Sequence, residues 1–427
     1  MQKTLKKYIN KFQKASIIVI IIMFAFYHPC FADENMEELD FTWNEFQNII
    51  KASSEMHTEP KINSRVAVIF DRASGDIIYG KEENKKYKMA STTKIMTSIV
   101  VLENSKLTDV VEISKKAANT GGSRLGLKID DKITVNDLLY GLMLCSGNDA
   151  AVALAEYVGG CMQNFAEMMN KKAEELKLTS THFVTPHGLD QDEHYTTALE
   201  LARIADYALK NKKFKEIVGT KEYTVTINGK AKKISNTNEL LGNLNGVYGI
   251  KTGFTNGANR CLVTGIKRDN LDIICVVLGA DTKKYRTQDS IKLIEYAFSN
   301  YEIVNLKEKI EEEYNNWKLY NKIEVIKGEK KYLETILQKN NIQNKAIKKD
   351  EINDIKVSIF GVKKIEAGVP KNKKVGQLNV KIHDNNICSL DILAKNDIKR
   401  KTPNYYFKEL ILNYARKLEE NLKNYNM

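Results

Sequence analysis

The chain has 427 residues, of which 43% are hydrophobic and 28% are charged, and only 5 are proline. This length suggests two or three domains with room for a sizeable core, and the composition excludes a disordered or fibrous chain. The formal net charge of +12 is diffuse, so it favours anionic surroundings such as wall polymers or phospholipid headgroups and does not indicate nucleic-acid binding.

Residues 1–32 have the features of an export signal. A cluster of lysines precedes an apolar run at residues 17–27, and Cys30-Phe31-Ala32 offers small residues where a signal peptidase cuts. The apolar run is shorter than the roughly 20 residues needed to span a membrane, which favours removal over a retained anchor. We therefore predict a signal peptide that is cleaved before Asp33.

Residues 33–63 are predicted to form an N-terminal arm, a short helix or extended segment packed on the main domain. Phe41, Trp43 and Phe46 are its expected apolar anchors. No functional role follows from its sequence.

Residues 64–301 have strand patterns at both ends and helical patterns between them. The predicted elements are a hairpin at 65–71 and 76–79, a helix that opens near Ser91, helices at 135–144, 150–158, 165–176 and 198–209, strands at 247–252, 261–266 and 271–278, and a helix at 287–298. Thr134 is the expected N-cap of the second of these helices. This order predicts an α+β fold, with one antiparallel sheet covered by helices.

The remainder of the chain changes character twice. Residues 302–320 are charged and are predicted to be a linker. Short alternating strands at 323–326, 355–360, 375–382 and 387–393 then predict a small β domain at 321–398.

Residues 399–427 form a separate tail, in which Thr402 can cap a helix with Pro403 at its first position. The apolar residues of that helix share one face and are Phe407, Leu410, Ile411, Tyr414, Leu418 and Leu422. Because cationic residues flank this face, the helix could lie in a membrane interface. Packing on the β domain explains the pattern equally well.

Ser91-Thr92-Thr93-Lys94 places a serine and a lysine one helical turn apart, so both side chains share a face. A serine hydroxyl is a poor nucleophile until a base removes its proton. Lys94 can be that base if burial beside other cations lowers its pKa. The same spacing also fits a helix-capping serine with a solvated lysine.

Ser146-Gly147-Asn148 lies between two predicted helices. In a catalytic interpretation, Ser146 relays a proton between Lys94 and a departing amine, and Asn148 hydrogen-bonds a substrate amide. The structural alternative is that Ser146 or Asn148 caps the helix that begins near Asp149.

Lys251-Thr252-Gly253 ends a predicted strand. Glycine allows another backbone to approach, so an extended peptide could pair with this edge. Lys251 and Thr252 would then offer an ammonium and a hydroxyl to a carboxylate, and a free C-terminal carboxylate would mean removal of C-terminal residues. The backbone N–H groups of Ser91 and Phe254 are the predicted oxyanion hole. An ordinary strand-end lysine and turn is the structural alternative.

The order of the three motifs, on a helix start, an inter-helix loop and a late strand, is hard to reach by chance. It is the set found in penicillin-binding proteins and class A β-lactamases. The joint interpretation is therefore much stronger than any motif alone.

A histidine-rich segment is the rival site. His182, His187 and His194 lie close to three acidic residues, Asp190, Asp192 and Glu193. Their spacing fits neither a helical His-Glu-x-x-His motif nor a zinc finger. We predict that these side chains fix a loop, and that the protein uses no metal and no cofactor.

From Ser64 to the C-terminus, the sequence resembles the serine-type D-alanyl-D-alanine carboxypeptidases, the low-molecular-weight penicillin-binding proteins. Besides the three motifs, the segments 181–189, 194–199, 236–241 and 373–378 look like that family. The resemblance implies a penicillin-binding, β-lactamase-like catalytic domain followed by the small β domain.

It further implies that Ser91 is acylated by the penultimate D-alanine of a peptidoglycan stem pentapeptide. Lys94 would accept the proton, Ser146 would relay it, and Lys251 would bind the substrate carboxylate. β-Lactams would acylate Ser91 as inhibitors. An exported enzyme in the cell-wall space, held peripherally at the outer face of the plasma membrane through residues 403–424, would complete the description.

Three other functions stay open. A DD-endopeptidase would use the same residues on cross-links. A class A β-lactamase needs a glutamate that activates water; the loop after His182 offers no clear candidate, although Glu193 and Glu200 stay open. A non-catalytic wall-binding protein would not need Ser91, Lys94 and Ser146 together.

Overall fold

The computed structural model describes residues 42–338 and 344–425. The predicted signal peptide therefore lies outside the described residues. The chain divides into two compact units, and the boundary between them falls between Asn300 and Tyr301.

The first unit contains helices and strands in the mixed order that the sequence predicts. Its helices are α1 (Trp43–Ser54), α2 (Lys94–Asn104), α3 (Lys115–Ala118), α4 (Val135–Met143), α5 (Asn148–Gly159), α6 (Met162–Glu175), α7 (Ala198–Leu209), α8 (Lys212–Val218) and α9 (Lys283–Asn300). Its strands are β1 (Val66–Asp71), β2 (Ile77–Lys81), β3 (Val110–Glu112), β4 (Lys132–Thr134), β5 (Glu222–Ile227), β6 (Lys230–Ser235), β7 (Val247–Thr255), β8 (Asn259–Arg268) and β9 (Leu271–Ala280). The predicted cap of α4 is confirmed, because Thr134 Oγ1 accepts a hydrogen bond of 3.1 Å from Asp137 N.

The central sheet has five strands in the order β2-β1-β9-β8-β7, and all its pairs are antiparallel. Every residue of β1 is buried, and nearly every residue of β9. Continuous burial of this kind requires cover on both faces, which the helices provide. Strands from the two ends of the unit thus meet in one sheet, as predicted, and β7 is left at its edge.

The described part of the N-terminal arm contains α1, which packs on α9. A capping box joins Thr42 and Glu45 at its start. Phe46 is a buried anchor, as expected, but Trp43 is 62% exposed, so its assignment as an anchor was wrong. Phe41 lies outside the described residues.

The hairpin formed by β5 and β6 was not predicted from the sequence. Ile227 pairs with Lys230, so the connecting loop is the two residues Asn228 and Gly229. Both have positive φ, 50° and 74°. Asn-Gly is the preferred sequence for a two-residue hairpin of this kind, so the signal was present.

The described part of the second unit holds two α-helices and the remaining strands. The helices are α10 (Leu306–Tyr320) and α11 (Pro403–Tyr425). The strands are β10 (Tyr301–Val304), β11 (Ile323–Ile326), β12 (Tyr332–Leu333), β13 (Thr335–Leu337), β14 (Lys345–Lys348), β15 (Ile355–Gly361), β16 (Lys364–Glu366), β17 (Lys374–Ile382) and β18 (Asn385–Ala394). The largest sheet is four-stranded, in the order β13-β18-β17-β15, so the predicted small β domain is confirmed.

Residues 302–320, predicted to be a linker, are instead part of this unit. Most of them form α10, and Leu306, Ile310 and Tyr314 are buried in its core. These three positions fall on one side of the helix, whereas the charged residues cover the rest. The high charge of the segment hid this stripe.

The C-terminal helix α11 exposes both its polar and its apolar residues. Leu410 is 69% exposed and Ile411 53% exposed, and Phe407, Tyr414 and Leu418 are exposed too. The alternative in which this face packs on the β domain is therefore wrong. No helix in the two described ranges of the chain is long and apolar enough to cross a bilayer.

Candidate active site

Ser91 lies in a 3₁₀ turn, Ala90–Thr93, that leads directly into α2. The predicted helix start is therefore close, although α2 itself begins only at Lys94. Ala90 has a positive φ of 47°, which is unusual for a residue with a side chain. The turn presents Ser91, which is partly exposed, above the fully buried Lys94.

Three hydrogen-bonding groups surround the Lys94 amine. Its Nζ lies 2.7 Å from Asn148 Oδ1, 2.8 Å from the His187 carbonyl oxygen and 2.8 Å from Ser91 Oγ. The first two partners can only accept. A neutral amine has two N–H bonds and one lone pair, so these acceptors use both N–H bonds and the lone pair faces the Ser91 hydroxyl.

The surroundings favour this neutral form. Burial lowers the pKa of Lys94 well below its ordinary value, and the nearby Lys251 cation lowers it further, whereas Asp149 opposes the shift. An ammonium without solvent is costly next to a second cation. Lys94 is therefore poised to accept a proton from Ser91.

The loop at residues 186–188 contacts Lys94, α2 and the Ser91 turn. Its His187 carbonyl accepts from Lys94, and Thr97 Oγ1 donates to the Pro186 carbonyl at 2.6 Å. A Cβ on Gly188 would stand 1.9 Å from the Ala90 carbonyl oxygen, so only glycine allows the loop to meet the Ser91 turn.

The histidines fix this loop, as predicted. Val184 N donates to His194 Nδ1 at 2.9 Å, so His194 carries its proton on Nε2, which lies 2.8 Å from Thr93 Oγ1. Burial lowers the pKa of His194 to about 4, and burial, with a smaller effect of the neighbouring Lys94 side chain, lowers that of His187 to about 3. Within residues 42–338 and 344–425, no group of three or more His, Cys, Asp or Glu side chains is placed to hold a metal ion.

Ser146 lies in the short loop between α4 and α5, with a positive φ of 60° and a nearly buried side chain. The N-cap of α5 is Gly147, and no side chain caps that helix end. The capping alternative for Ser146 and Asn148 is therefore wrong. Among the residues that the structure describes, no hydrogen bond joins the Ser146 hydroxyl to Lys94, so its relay role stays a prediction.

Asn148 is oriented by two opposite contacts. Its Oδ1 accepts from Lys94, and its Nδ2 donates to the Gly121 carbonyl at 2.8 Å. The next residue, Asp149, accepts from the backbone N–H groups of residues 125–127 at 2.7 to 3.0 Å. Asn148 thus holds Lys94 and a loop, a task that the sequence analysis did not predict, and its predicted contact with a substrate amide is untested.

Lys251, Thr252 and Gly253 lie on the edge strand β7. A Cβ on Gly253 would stand 3.1 Å from Ser91 N, which explains why this position has no side chain. Lys251 is buried close enough to affect the pKa of Lys94. Thr252 Oγ1 lies 2.7 Å from Thr237 Oγ1. The first and third motifs therefore meet around Ser91, as the joint interpretation requires.

Glu193 and Glu200, the two glutamates considered for a β-lactamase, do not contact Ser91 or Lys94 in the described hydrogen bonds. Glu200 accepts from Thr179 N and Ser180 N at 3.0 Å and from the Thr181 hydroxyl, so its carboxylate fixes a loop. Glu193 is exposed. The Glu200 carboxylate is therefore engaged by this loop, and none of its hydrogen bonds reaches Ser91 or Lys94.

Comparison with known proteins agrees with this geometry. A family model described as D-alanyl-D-alanine carboxypeptidase matches residues 53–282, and one described as penicillin-binding protein 5, C-terminal domain, matches residues 314–400. D-alanyl-D-alanine carboxypeptidase DacF of Bacillus subtilis is 35% identical over 357 residues, which is 82% of this chain and 88% of that protein.

Solved structures extend the likeness over both units. The D-alanyl-D-alanine carboxypeptidase DacD from Francisella tularensis aligns with a TM-score of 0.67 and 27% identity over 81% of this chain and 96% of the other. Penicillin binding protein 5 from Haemophilus influenzae aligns with a TM-score of 0.64 and 29% identity over 80% and 99%. The chain belongs to the D-alanyl-D-alanine carboxypeptidase family of serine hydrolases, as the resemblance predicted, and the α+β fold class is confirmed.

Two groups near the site were not predicted from the sequence, the His187 carbonyl and the Thr237 hydroxyl. The His187 carbonyl holds Lys94, yet a carbonyl oxygen leaves no mark in the residue type. Thr237 contacts Thr252, and the only available signal was its place in the family-like segment 236–241.

Proposed function

We propose that this protein hydrolyses the terminal D-Ala-D-Ala bond of peptidoglycan stem pentapeptides through an acyl-enzyme on Ser91. Removal of that residue trims wall precursors and limits cross-linking. The proposal depends chiefly on one observation, the buried Lys94 amine that lies 2.8 Å from Ser91 Oγ.

In the acylation step, Lys94 takes the proton of Ser91 as Ser91 Oγ attacks the carbonyl carbon of the penultimate D-alanine. The N–H groups of Ser91 and Phe254 stabilise the oxyanion that forms, a contribution worth about 3 kcal/mol per donor in comparable sites. The C–N bond then breaks, and the proton passes through Ser146 to the departing amine. The close approach of Gly253 to Ser91 N supports the position of this oxyanion hole.

The substrate would add to the sheet as an extended strand along β7, which lies at the edge of the order formed by the described strands. Lys251 and Thr252 then bind the C-terminal carboxylate, and Asn148 contributes an N–H to a substrate amide. Because the site would require a free C-terminal carboxylate, the enzyme would remove C-terminal residues and act as a carboxypeptidase.

Water completes the cycle by attacking the acyl carbon, and its proton returns to Ser91 through Lys94. β-Lactams would acylate Ser91 in the same way and stay attached, because the two candidate glutamates are engaged elsewhere or exposed. Rapid turnover of benzylpenicillin would contradict this and favour a β-lactamase.

We also propose that the protein is exported and associates with the outer face of the plasma membrane through residues 403–424. The signal-like pattern of residues 1–32 and the exposed apolar residues of α11 support this.

The decisive experiment is intact-mass spectrometry of residues 33–427 with benzylpenicillin, together with D-alanine release from a pentapeptide that ends in D-Ala-D-Ala. We expect one penicillin adduct on Ser91 and release of D-alanine. Ser91→Ala should abolish both and leave the thermal unfolding midpoint unchanged. An adduct without release would contradict the carboxypeptidase and favour a binding role.

A further inference from the structure

The surplus of positive charge lies in the second unit of the chain. Outside the predicted signal peptide, residues 33–300 contain 35 Lys and Arg against 36 Asp and Glu, whereas residues 301–427 contain 26 against 18. The tail at residues 403–427 contributes only 4 against 3 of these. Because like charges within one compact unit repel each other and attract anions, residues 301–402 are the part of the chain expected to meet an anionic partner.

Part of this charge surrounds one surface groove of the second unit. The groove lies between the end of α10, the strands β12 and β13 and the residue that follows β18, and its volume is about 260 Å³. Two hydrogen bonds fix its walls, from the Tyr314 hydroxyl to Thr335 Oγ1 at 2.8 Å and from Lys395 N to the Glu334 carbonyl at 2.9 Å. The lining residues are Lys318, Asn321, Lys322, Leu333, Glu334, Thr335 and Lys395.

The charges around this groove are not balanced by acids. Glu334 is the one acid in the lining, and its carboxylate lies 3.0 Å from the Lys395 ammonium. Lys318 and Lys322 make no ion pair with a carboxylate in the described part of the chain, and neither does Lys331 beside them. We call these three residues the lysine surface.

Aromatic rings position the ammonium groups of the lysine surface. The ammonium groups of Lys322 and Lys331 lie 5.6 Å and 5.4 Å from the ring centroid of Tyr332, which is 43% exposed, and that of Lys318 lies 4.7 Å from the Tyr314 ring. Cations within about 6 Å of a ring are attracted to it. The positive charges are therefore held at the surface before any partner binds.

The kind of cation indicates the kind of anion. Residues 301–427 contain 24 Lys and only 2 Arg. A lysine ammonium is a compact point charge that suits phosphate oxygens in many orientations, whereas the arginine fork is the group that favours bidentate pairing with a carboxylate. Repeated phosphate groups thus fit this unit better than repeated carboxylates.

We propose that the lysine surface binds a linear polymer of phosphodiester repeats in the cell-wall space. Its placement in that space rests on the function and export proposed above, whereas the binding itself does not require Ser91. A layer of phospholipid headgroups is the competing partner, but the helix proposed to meet the membrane carries almost none of the surplus charge. Contacts between exposed charges are screened by salt over about 8 Å at physiological ionic strength, so the enzyme would be held reversibly beside the wall.

The test measures binding of poly(glycerol phosphate) to the full exported chain, residues 33–427, by isothermal titration calorimetry. The parent chain should bind, with an affinity that falls as salt is added. The triple variant Lys318→Gln, Lys322→Gln and Lys331→Gln should bind about tenfold more weakly, because three exposed charge contacts are lost. D-alanine release from the pentapeptide should not change, since Ser91 lies in the first unit.

A second triple variant, Lys307→Gln, Lys356→Gln and Lys381→Gln, is the matched control. It removes the same charge from the same unit at three exposed side chains that do not line the groove, and it should bind the polymer like the parent. No polymer binding by the parent, or an equal loss in both triple variants, would overturn the proposal. Polymer binding without D-alanine release would support the lysine surface and contradict the proposed function alone.

Phosphatidylglycerol vesicles separate the polymer from the membrane. The variant Leu410→Ser with Ile411→Ser keeps the three lysines, so it should bind the polymer like the parent and bind vesicles at least tenfold more weakly. If this variant still binds vesicles and loses them only when the three lysines are also changed, the partner of the lysine surface is the membrane and the proposal is wrong.

Discussion

At the scale of single residues, the proposed chemistry depends on the protonation of Lys94. Its two N–H bonds are used by Asn148 and the His187 carbonyl, so adding a proton would remove the lone pair that faces Ser91. Burial and the Lys251 cation both oppose that proton. The surroundings of Lys94 therefore disfavour its charged form and place its neutral amine where a base is needed.

The pH dependence of acylation follows from this lowered pKa. Above it, Lys94 is neutral and the rate of benzylpenicillin acylation should be flat. As the pH falls through it, the amine gains a proton and the rate should drop about tenfold per pH unit. Stopped-flow or quenched mass spectrometry would measure the profile.

The two buried histidines near the site should not contribute to this pH profile. His187 and His194 have pKa values of about 3 and 4, so neither titrates near neutral pH. A rate that rises only near the ordinary lysine value of 10.5 would contradict the neutral Lys94.

Gly253 tests the contact between β7 and the Ser91 turn. In Gly253→Ala, the new Cβ would lie 3.1 Å from Ser91 N and 3.3 Å from the Met89 carbonyl oxygen, so backbone must move. We expect a loss of about 1–3 kcal/mol in the free energy of unfolding and slower acylation, measured by urea denaturation and adduct formation. Gly121→Ala is the control, since no atom lies within 4 Å of its added Cβ. Equal behaviour of the two variants would refute the contact.

At the scale of elements, the question is whether the apolar residues of α11 pack in the folded core or bind a membrane surface. Its apolar residues are exposed, so they contribute little to the folded core. Exposed apolar residues that share one helical face with flanking cations are typical of interfacial helices.

Leu410→Ser combined with Ile411→Ser should therefore weaken binding to vesicles of anionic phospholipid. Full burial of such a side chain is worth roughly 1.5–3 kcal/mol, so partitioning should fall at least tenfold, as measured by co-sedimentation. The unfolding midpoint should not change. Asn413→Ser, which removes no apolar surface, should bind like the parent, and a parent that does not bind vesicles would contradict the interfacial helix.

At the scale of the whole molecule, the site and the tail belong to different units. All described contacts around Ser91, Lys94 and Lys251 join residues of the first unit, which ends at Asn300. A chain that ends at Asn300 should therefore acylate at a rate within about twofold of the full chain and lose vesicle binding. If the shortened chain stays folded, as measured by circular dichroism, but no longer acylates, the second unit contributes to the site.

Most elements could be predicted because their periodicity is local. The hairpin of β1 and β2, the helices with clear apolar stripes and the strands of the β domain follow from residues close in sequence. The errors came where charge obscured a stripe, as in α10, or where a short turn signal was overlooked, as at Asn228 and Gly229. Trp43 was misassigned because aromatic content alone does not fix burial.

The sequence alone determined the chemical groups of this protein: a serine, a lysine one turn later, and two further motifs in a fixed order. That is possible because catalysis needs particular side chains, and their spacing is a covalent property of the chain. Only the tertiary structure decided that the N–H bonds of Lys94 go to Asn148 and to a carbonyl of the 186–188 loop, and that Gly253 of β7 packs against Ser91 N. Such contacts join residues tens to well over a hundred positions apart through backbone atoms and burial, which no residue type records.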